Sequence, residues 1–227
     1  MLRSFLFYLV LLAPLSLAHA QLTKAARPYT ITASSRAAYL QARRRPTEPL
    51  LKDEKSITKR GKTLTLPLSN GKVRRLVDYD NPNNEVGIRK HSYEGKLVAL
   101  PKYLIHLEQW EHSEKLLVDQ QTGAVDTLKG SPELSPSHGK VAALENYWEL
   151  GGANAAWLYK VTSGRVRQAF ELPLPEHIPY SLVWVNDRSF ILRLFPIATA
   201  GQVKKQPSYE TDSDGKYKFT YWLVQLR

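Results

Sequence analysis

The sequence predicts an all-β fold in which consecutive antiparallel hairpins form a propeller-like or open curved set of sheets. From about residue 62 onward, short segments alternate polar and apolar residues, and turn signals separate them. Two turn glycines, Gly123 and Gly164, lie 41 residues apart. This spacing is close to the repeat of about 40 to 50 residues found in propeller blades. A β-sandwich or a barrel with a similar number of strands is the alternative.

The expected elements can be placed along the chain from these patterns. Asn70-Gly71 is the strongest hairpin signal, because both central residues of the favoured turn need positive φ. Residues 80–84 form a loop, residues 96–110 are rich in aliphatic and aromatic residues, and Asp214-Gly215 forms a hairpin tip. The expected strands cover residues 63–68, 73–79, 115–120, 124–128, 141–144, 157–161, 165–172, 182–185, 189–194 and 217–226.

Residues 21–60 are strongly basic and are interrupted by three prolines. Ten lysines and arginines oppose three acidic residues in this segment. Ser35 can cap a short helix over residues 36–42, and Pro46 stops that helix. We therefore expect a basic arm that is partly helical or disordered, followed by a single all-β domain at residues 61–227. The arm, a loop or a partner chain must cover the edges of an incomplete set of blades.

The first twenty residues have the features of a secretory signal peptide. Arg3 supplies a positive charge, and residues 5–13 are apolar. Ala18 and Ala20 are small residues at the positions that signal peptidase recognises. We expect cleavage between Ala20 and Gln21. The apolar stretch is shorter than the roughly 20 residues of a membrane span. The mature chain is therefore expected in the periplasm or outside the cell, with no transmembrane segment.

Composition narrows the class of protein. The chain of 227 residues contains no cysteine, which fits an exported bacterial protein without disulfides and excludes thiol catalysis and thiolate zinc sites. The formal net charge of +11 favours contact with polyanions such as cell-envelope glycans and lipid headgroups. Solubility alone also accounts for a basic charge, and we favour that interpretation. We expect no nucleic-acid partner.

The middle of the chain resembles the blade unit of WD-repeat and related propellers. In that unit an acidic residue ends a strand, a Thr-Gly turn follows, and a turn similar to SPDGK opens the next blade. The residues that match are Asp119, Thr122, Gly123, Ser135, Pro136, Gly139 and Lys140, while His138 replaces the usual acidic turn residue. A second copy keeps Ser163, Gly164, Trp184, Asn186 and Asp187 but lacks the Ser-Pro pair. Residues 95–194 also resemble exported bacterial proteins, a resemblance that implies no particular activity.

Two histidines and a carboxylate raise the possibility of a metal site. His106, Glu108, Trp110 and His112 occupy alternate positions, so an ideal strand would place them on one face. Imidazole and carboxylate groups suit zinc or a similar cation. We favour a solvated polar face, because spacing on a strand is not a metal signature. In that interpretation Tyr103, Ile105 and Leu107 face the core.

Paired carboxylates could hydrolyse glycans or peptides. The candidates near aromatic residues are Glu108, Glu111, Glu145 and Glu149, with Glu114 close by. The neighbouring aromatic residues are Trp110, Tyr147 and Trp148. Nothing in the sequence shows that any two of these carboxylates converge. The segment at residues 212–215 has part of a calcium-loop spacing, but a hairpin tip is the favoured interpretation.

These observations favour an exported, non-catalytic binding or interaction module, with a protein or a cell-envelope polyanion as partner. We assign no catalytic, cofactor-binding or metal-binding residue and expect no cofactor. The first alternative is a secreted hydrolase that uses acidic residues near Glu108 to Glu114. The second is a polyanion-binding surface protein that uses Arg43, Arg44 and Arg45.

Overall fold

A computed structural model of the chain describes residues 27–45, 50–52, 56–80, 83, 85–110, 112–145, 154–197 and 219–227. The expected signal peptide, its cleavage site and the hairpin around Asp214-Gly215 lie outside these residues. The elements of the described ranges are β1 (Tyr29–Ala33), α1 (Arg36–Arg43), β2 (Leu50–Leu51), β3 (Thr58–Arg60), β4 (Thr63–Pro67), β5 (Val73–Val77), a 3-10 turn (Glu85–Gly87), β6 (Arg89–Leu97), β7 (Lys102–Gln109), β8 (Ser113–Asp119), β9 (Val125–Leu128), β10 (Ser131–Leu134), β11 (Lys140–Glu145), β12 (Ala155–Thr162), β13 (Arg165–Pro173), β14 (His177–Asn186), β15 (Ser189–Pro196) and β16 (Thr220–Leu226).

The strands form four antiparallel sheets, numbered along the chain. Sheet I has the order β3-β4-β5, sheet II β2-β6-β7-β8-β9, sheet III β10-β11-β12-β13, and sheet IV β1-β16-β15-β14. This arrangement confirms the all-β class. None of the sheets formed by the described residues closes into a barrel, so the barrel alternative is wrong.

Three hairpin turns that were predicted from residue pairs ending in glycine are confirmed. They join β4 to β5 at Asn70-Gly71, β8 to β9 at Thr122-Gly123 and β12 to β13 at Ser163-Gly164. In the third turn φ is 50° at Ser163 and 73° at Gly164. Positive φ at both central residues is what the favoured two-residue hairpin turn requires.

Three hydrophobic cores join the sheets in series, between I and II, between II and III, and between III and IV. The middle sheets are therefore covered on both faces. In sheet II, Ile105 enters the first core and Leu104 the second. In sheet III, Val141 enters the second core and Ala142 the third. Since successive side chains of a strand point to opposite faces, a continuous apolar run suits a sheet buried on both sides.

The carboxylate of Asp126 links sheets II and III. Its Oδ2 lies 3.3 Å from the ammonium of Lys102, whose side chain is 1% exposed. Arg165 donates to Oδ1 from Nη2 at 2.6 Å and from Nε at 2.7 Å. The main-chain amide of Val166 donates to Oδ2 at 3.0 Å. Because the lysine lies on β7 and the other two donors on β13, one buried carboxylate fixes the register of two sheets.

Sheets III and IV are linked by two further hydrogen bonds. The indole of Trp184 on β14 donates to the carbonyl of Glu133 on β10, with N and O 2.9 Å apart. The amide of Ser137 donates to Asp187 at 2.8 Å, which joins the first hairpin turn of sheet III to that of sheet IV. Both bonds connect residues about fifty positions apart, so they fix the sheets rather than the hairpins.

The described residues of the expected arm lie on the sheets. β1 pairs with β16, and β2 pairs with β6, so each covers a sheet edge. The expected helix is confirmed and is one residue longer than predicted, with the Ser35 hydroxyl accepting from the Ala38 amide. It lies on sheet IV, where the Tyr39 hydroxyl is 2.8 Å from that of Ser181. β3 already pairs with β4, which places strand pairing before residue 61.

We expect Asp126→Ala to lower the free energy of unfolding by about 3 to 5 kcal/mol, because it leaves the Lys102 ammonium buried without its closest carboxylate. The double variant Lys102→Met with Asp126→Ala should be more stable than Asp126→Ala alone, since no buried ammonium remains. Urea denaturation measures both. Lys129→Ala removes a more exposed ion pair to Glu114 and should cost under about 1 kcal/mol. Equal losses in Asp126→Ala and Lys129→Ala would contradict the role of Asp126.

Candidate functional site

The predicted alignment of His106, Glu108, Trp110 and His112 on one strand face is only partly correct. His106 and Glu108 do lie on β7, and Tyr103, Ile105 and Leu107 enter the core between sheets I and II as expected. β7 ends at Gln109, whose amide donates to the carbonyl of His112 at 2.9 Å. The chain therefore reverses at Trp110, which carries His112 off the strand and ends the alternation.

His106 contacts a lysine rather than a set of acidic ligands. The Lys115 ammonium donates to His106 Nδ1 at 3.1 Å and to Glu94 Oε1 at 2.5 Å. Burial and the positive charge of Lys115 both lower the pKa of His106. The histidine is therefore a neutral hydrogen-bond acceptor at neutral pH.

The other predicted site residues are also separate. The His112 ring lies 3.0 Å from the carbonyl of Trp110, and Glu108 is exposed. Glu145 accepts a hydrogen bond from the indole of Trp157 at 2.8 Å. The described residues contain no cluster of three or more histidine, aspartate or glutamate side chains that could hold a metal ion. Glu111, Glu149 and the segment 212–215 lie outside the residues that the structure describes.

A cleft of about 500 Å³ lies between sheets I and II beside β5, and we call it the β5 cleft. Its walls carry three arginines, and its floor is apolar. It is lined by Arg74, Arg75, Leu76, Val77, Arg89, His91, Leu107, Gln109, Glu114, Leu116 and Val125. Sheet I has three strands and sheet II has five, and the cleft lies beside β5, the last strand of sheet I.

The charge of the β5 cleft is positive. Arg74, Arg75 and Arg89 are exposed, and none of them pairs with a carboxylate of the described residues. The Glu114 carboxylate lies 2.8 Å from the Lys129 ammonium and accepts a hydrogen bond from the side-chain Nε2 of Gln109 at 3.0 Å. Three guanidinium groups with no carboxylate partner among the described residues, in a cleft that Leu107 and Leu116 also line, suit an anionic ligand with apolar groups.

The turn between β4 and β5, at the start of β5, bonds to the turn between β8 and β9. The Ser69 amide donates to the carbonyl of Gln120 at 2.7 Å, and the Asn70 side chain donates to the carbonyl of Gln121 at 2.7 Å. The second turn is itself held by Asp119, which accepts from the amide and hydroxyl of Thr122 at 2.8 Å. This capping fixes the wall of the cleft at the start of β5.

A second set of bonds fixes the other end of β5. Asp78 accepts from the His91 amide at 2.8 Å and lies 2.7 Å from the Lys59 ammonium. Tyr79 and Arg89 exchange two main-chain hydrogen bonds of 2.9 and 2.8 Å. Burial would raise the pKa of Asp78, but the hydrogen bonds from Lys59 and His91 outweigh it and hold the pKa below its usual value.

A second cleft of about 520 Å³ lies at the end of sheet IV. Its lining is mostly polar, with Thr30, Asn186, Arg188, Ser189, Gln225, Leu226 and Arg227. It has no counterpart to the apolar floor of the β5 cleft. We therefore take the β5 cleft as the candidate functional site.

Sequence reasoning identified β5 as a strand but missed the cleft. The signal that was available is the pair Arg74-Arg75 inside a predicted strand, since adjacent arginines point to both faces. Pairing between distant segments decides whether a strand lies at the edge of a sheet. The local sequence pattern does not contain this information.

Comparison with protein-family models, with curated proteins and with solved structures finds no match for this chain. Within the described ranges, no helix has the length and apolarity that crossing a membrane requires. The function is therefore argued from the geometry and charge of the β5 cleft.

We expect acid to weaken the anchor at Asp78. Because the folded pKa lies below the ordinary value of 3.8, the ionised carboxylate stabilises the fold above that pH, and this contribution is lost as the pH falls through the folded pKa. The stability difference between the parent chain and Asp78→Asn should shrink as the pH falls below 3.8. Urea denaturation at each pH measures it. Asp80→Asn, at an exposed neighbouring position, is the control, and the same pH profile for both variants would refute the assignment.

Proposed function

We propose that this protein is a binding module that takes an anionic ligand in the β5 cleft. The observation that carries the proposal is the group of three arginines that line the cleft with Leu107 and Leu116, namely Arg74, Arg75 and Arg89, none of which pairs with a carboxylate of the described residues. Guanidinium groups supply charge and directed hydrogen bonds, and the floor supplies apolar contact. The bonds at both ends of β5 hold the arginine-bearing strand in place before the ligand arrives.

We prefer binding over hydrolysis because of the carboxylates. A hydrolase of the expected kind would use two carboxyl groups about 5 to 10 Å apart. Among the described residues that line the β5 cleft, Glu114 is the one carboxylate, and Lys129 neutralises it.

The arginines of the arm are the second candidate for an anionic ligand. Arg43, Arg44 and Arg45 lie at the end of α1, and the guanidinium of Arg45 donates to the carbonyl of Val185. α1 lies on sheet IV, whereas the β5 cleft lies between sheets I and II. The two basic regions can therefore be tested separately, and we favour the cleft because it has an apolar floor.

We also propose that the sheets are related to propeller blades. The Thr122-Gly123 and Ser163-Gly164 turns each join the last two strands of a sheet, in II and III respectively. The turns at residues 135–140 and 186–188 each join the first two strands, in III and IV. β1 adds the fourth strand of sheet IV from the other end of the chain. These equivalent positions support the repeat that the sequence suggests.

We propose that the protein is exported, as the charge and apolar pattern of residues 1–20 suggests. Expression of the full chain in a bacterial host should yield a mature protein that begins at Gln21 and appears in the periplasm or medium. Intact mass and N-terminal sequencing measure this. Recovery of the uncleaved chain in the cytoplasm would overturn the proposal, and replacing Ala18 and Ala20 by bulky residues should block cleavage.

The cleft proposal predicts that Arg74→Ala with Arg89→Ala weakens binding of poly-L-glutamate about tenfold at low salt, because two charge contacts of about 0.7 kcal/mol each are lost. Isothermal titration calorimetry measures the affinity. Arg43→Ala with Arg44→Ala is the matched control, since it removes the same charge from α1 and should change the affinity little.

Equal losses in the two double variants would mean that net charge alone drives binding. A larger loss in the α1 variant would favour the arm as the anionic site. Either result overturns the cleft proposal. Thermal melting of all variants establishes that each is folded.

A further inference from the structure

β5 presents a free strand edge to the cleft. In sheet I, β5 is the last strand, and its partner β4 lies on one side. The Leu68 amide donates to the main-chain carbonyl of Lys72 at 2.8 Å, and the Asp78 amide donates to that of Lys62 at 2.7 Å. With the register of β4 and β5, these bonds direct the main chain of Arg74 and Leu76 toward β4.

The main-chain groups of Val73, Arg75 and Val77 consequently point away from β4. Within the described part of the chain, no hydrogen-bond partner meets them on that side. Val73 is 45% and Val77 61% exposed. Such a row of alternate unpaired amides and carbonyls is the template on which another strand can add.

This edge is held at both ends and open between them. The bonds of Ser69 and Asn70 fix its start, and those of Asp78 and Tyr79 fix its end. β5 has five residues and spans about 17 Å, and β6 meets the same edge two residues beyond it, where Tyr79 pairs with Arg89. A fixed edge loses little conformational entropy when a partner strand pairs with it.

The floor beside the edge is apolar. A strand added to β5 would extend sheet I along the cleft, over the face of sheet II that carries Leu107 and Leu116. Its alternate side chains would then face Leu107, Leu116 and Val125, which line the floor of the cleft. The remaining side chains would lie on the outer face, next to Arg75, which pairs with Thr65 on that face.

The arginines decide the charge of the added strand. Arg74, Arg75 and Arg89 surround the position that it would occupy, so acidic side chains are favoured. A second copy of this chain is a poor occupant, because antiparallel pairing of two β5 strands would place arginines opposite arginines. Like charges directly opposite each other destabilise a strand pair.

We propose that the ligand of the β5 cleft is an extended acidic segment of a partner protein, which binds by adding a strand to β5. The segment alternates apolar residues, which face the floor of sheet II, with acidic residues, which meet the arginines. Main-chain hydrogen bonds to Val73, Arg75 and Val77 supply the pairing. This proposal rests on the proposed function and specifies how that site recognises its ligand.

The test uses the full chain and a blocked ten-residue peptide of alternating glutamate and valine. We expect this peptide to bind, and the matching lysine–valine peptide to bind about tenfold more weakly or not at all, because the charge of the cleft opposes it. On binding, hydrogen exchange of the Val73, Arg75 and Val77 amides should slow, as measured by NMR of labelled protein. Exchange at Leu76, whose amide already pairs with β4, is the internal reference.

Val77→Pro removes an outward amide while leaving the bonds of Leu76 to β4, as an edge strand allows. We expect it to weaken binding of the glutamate–valine peptide about tenfold, while Val77→Ala leaves the affinity within about threefold. A test that leaves the protein unchanged uses two N-methylated peptides, one blocked at every glutamate amide and one at every valine amide. One of the two must lose binding, since one set of amides faces β5.

The outcomes separate the two proposals. If neither N-methylated peptide loses affinity while Arg74→Ala with Arg89→Ala still weakens binding, strand addition is wrong and the anionic cleft stands. If the peptide binds with no dependence on those arginines, both proposals are wrong. If the glutamate–valine peptide does not bind at millimolar concentration while poly-L-glutamate binds in an arginine-dependent way, the apolar alternation is wrong and strand addition is overturned.

Discussion

The carboxylate of Asp126 is the point on which the arrangement of the sheets depends. It meets Lys102, Arg165 and the amide of Val166 in the interior between sheets II and III. Taking a lysine and an aspartate out of water is unfavourable unless each is paired, so this contact is satisfied in one register of the two sheets. The apolar core around it tolerates small sliding movements more readily, because dispersion contacts are not directional. The polar contact therefore specifies the register, and the apolar contacts provide most of the stabilisation.

Sheets I and IV, at the two ends of the series, differ in how far their strands are buried. Sheet IV is covered on its second face by α1, and its β15 is almost entirely buried. Among the described residues no helix lies on sheet I, and its β5 has exposed valines. The two ends of the series of sheets therefore differ in what the described residues place on them. An open apolar edge beside arginines is an aggregation hazard unless charge protects it or a partner occupies it. The arginines of β5 supply the protecting charge, and the apolar floor of the cleft favours occupation by a partner.

Much of the fold could be predicted because it rests on short-range chemistry. The turn at Ser163-Gly164 needs positive φ, and Ser35 caps α1, so each is visible within a few residues. The separation of His106 from His112 could not be predicted from alternation, because the pattern does not show where β7 ends. The pairing of β1 with β16 joins the two ends of the described chain and has no local signal at all. The same limitation hid the β5 cleft, which exists because three strands pack on five.

By itself the sequence determined the all-β class, the hairpins and the strongly basic charge, because alternation, turn glycines and residue counts are properties of neighbouring residues. The tertiary structure decided which strands are edges, which arginines lack a carboxylate partner and which sheets are buried on both faces. Arg74 and Arg75 illustrate the difference. Their charge is evident from the sequence, but their position beside an open edge and an apolar floor arises from packing between segments far apart in the chain. Edges and clefts are relations between distant residues, and folding alone establishes them.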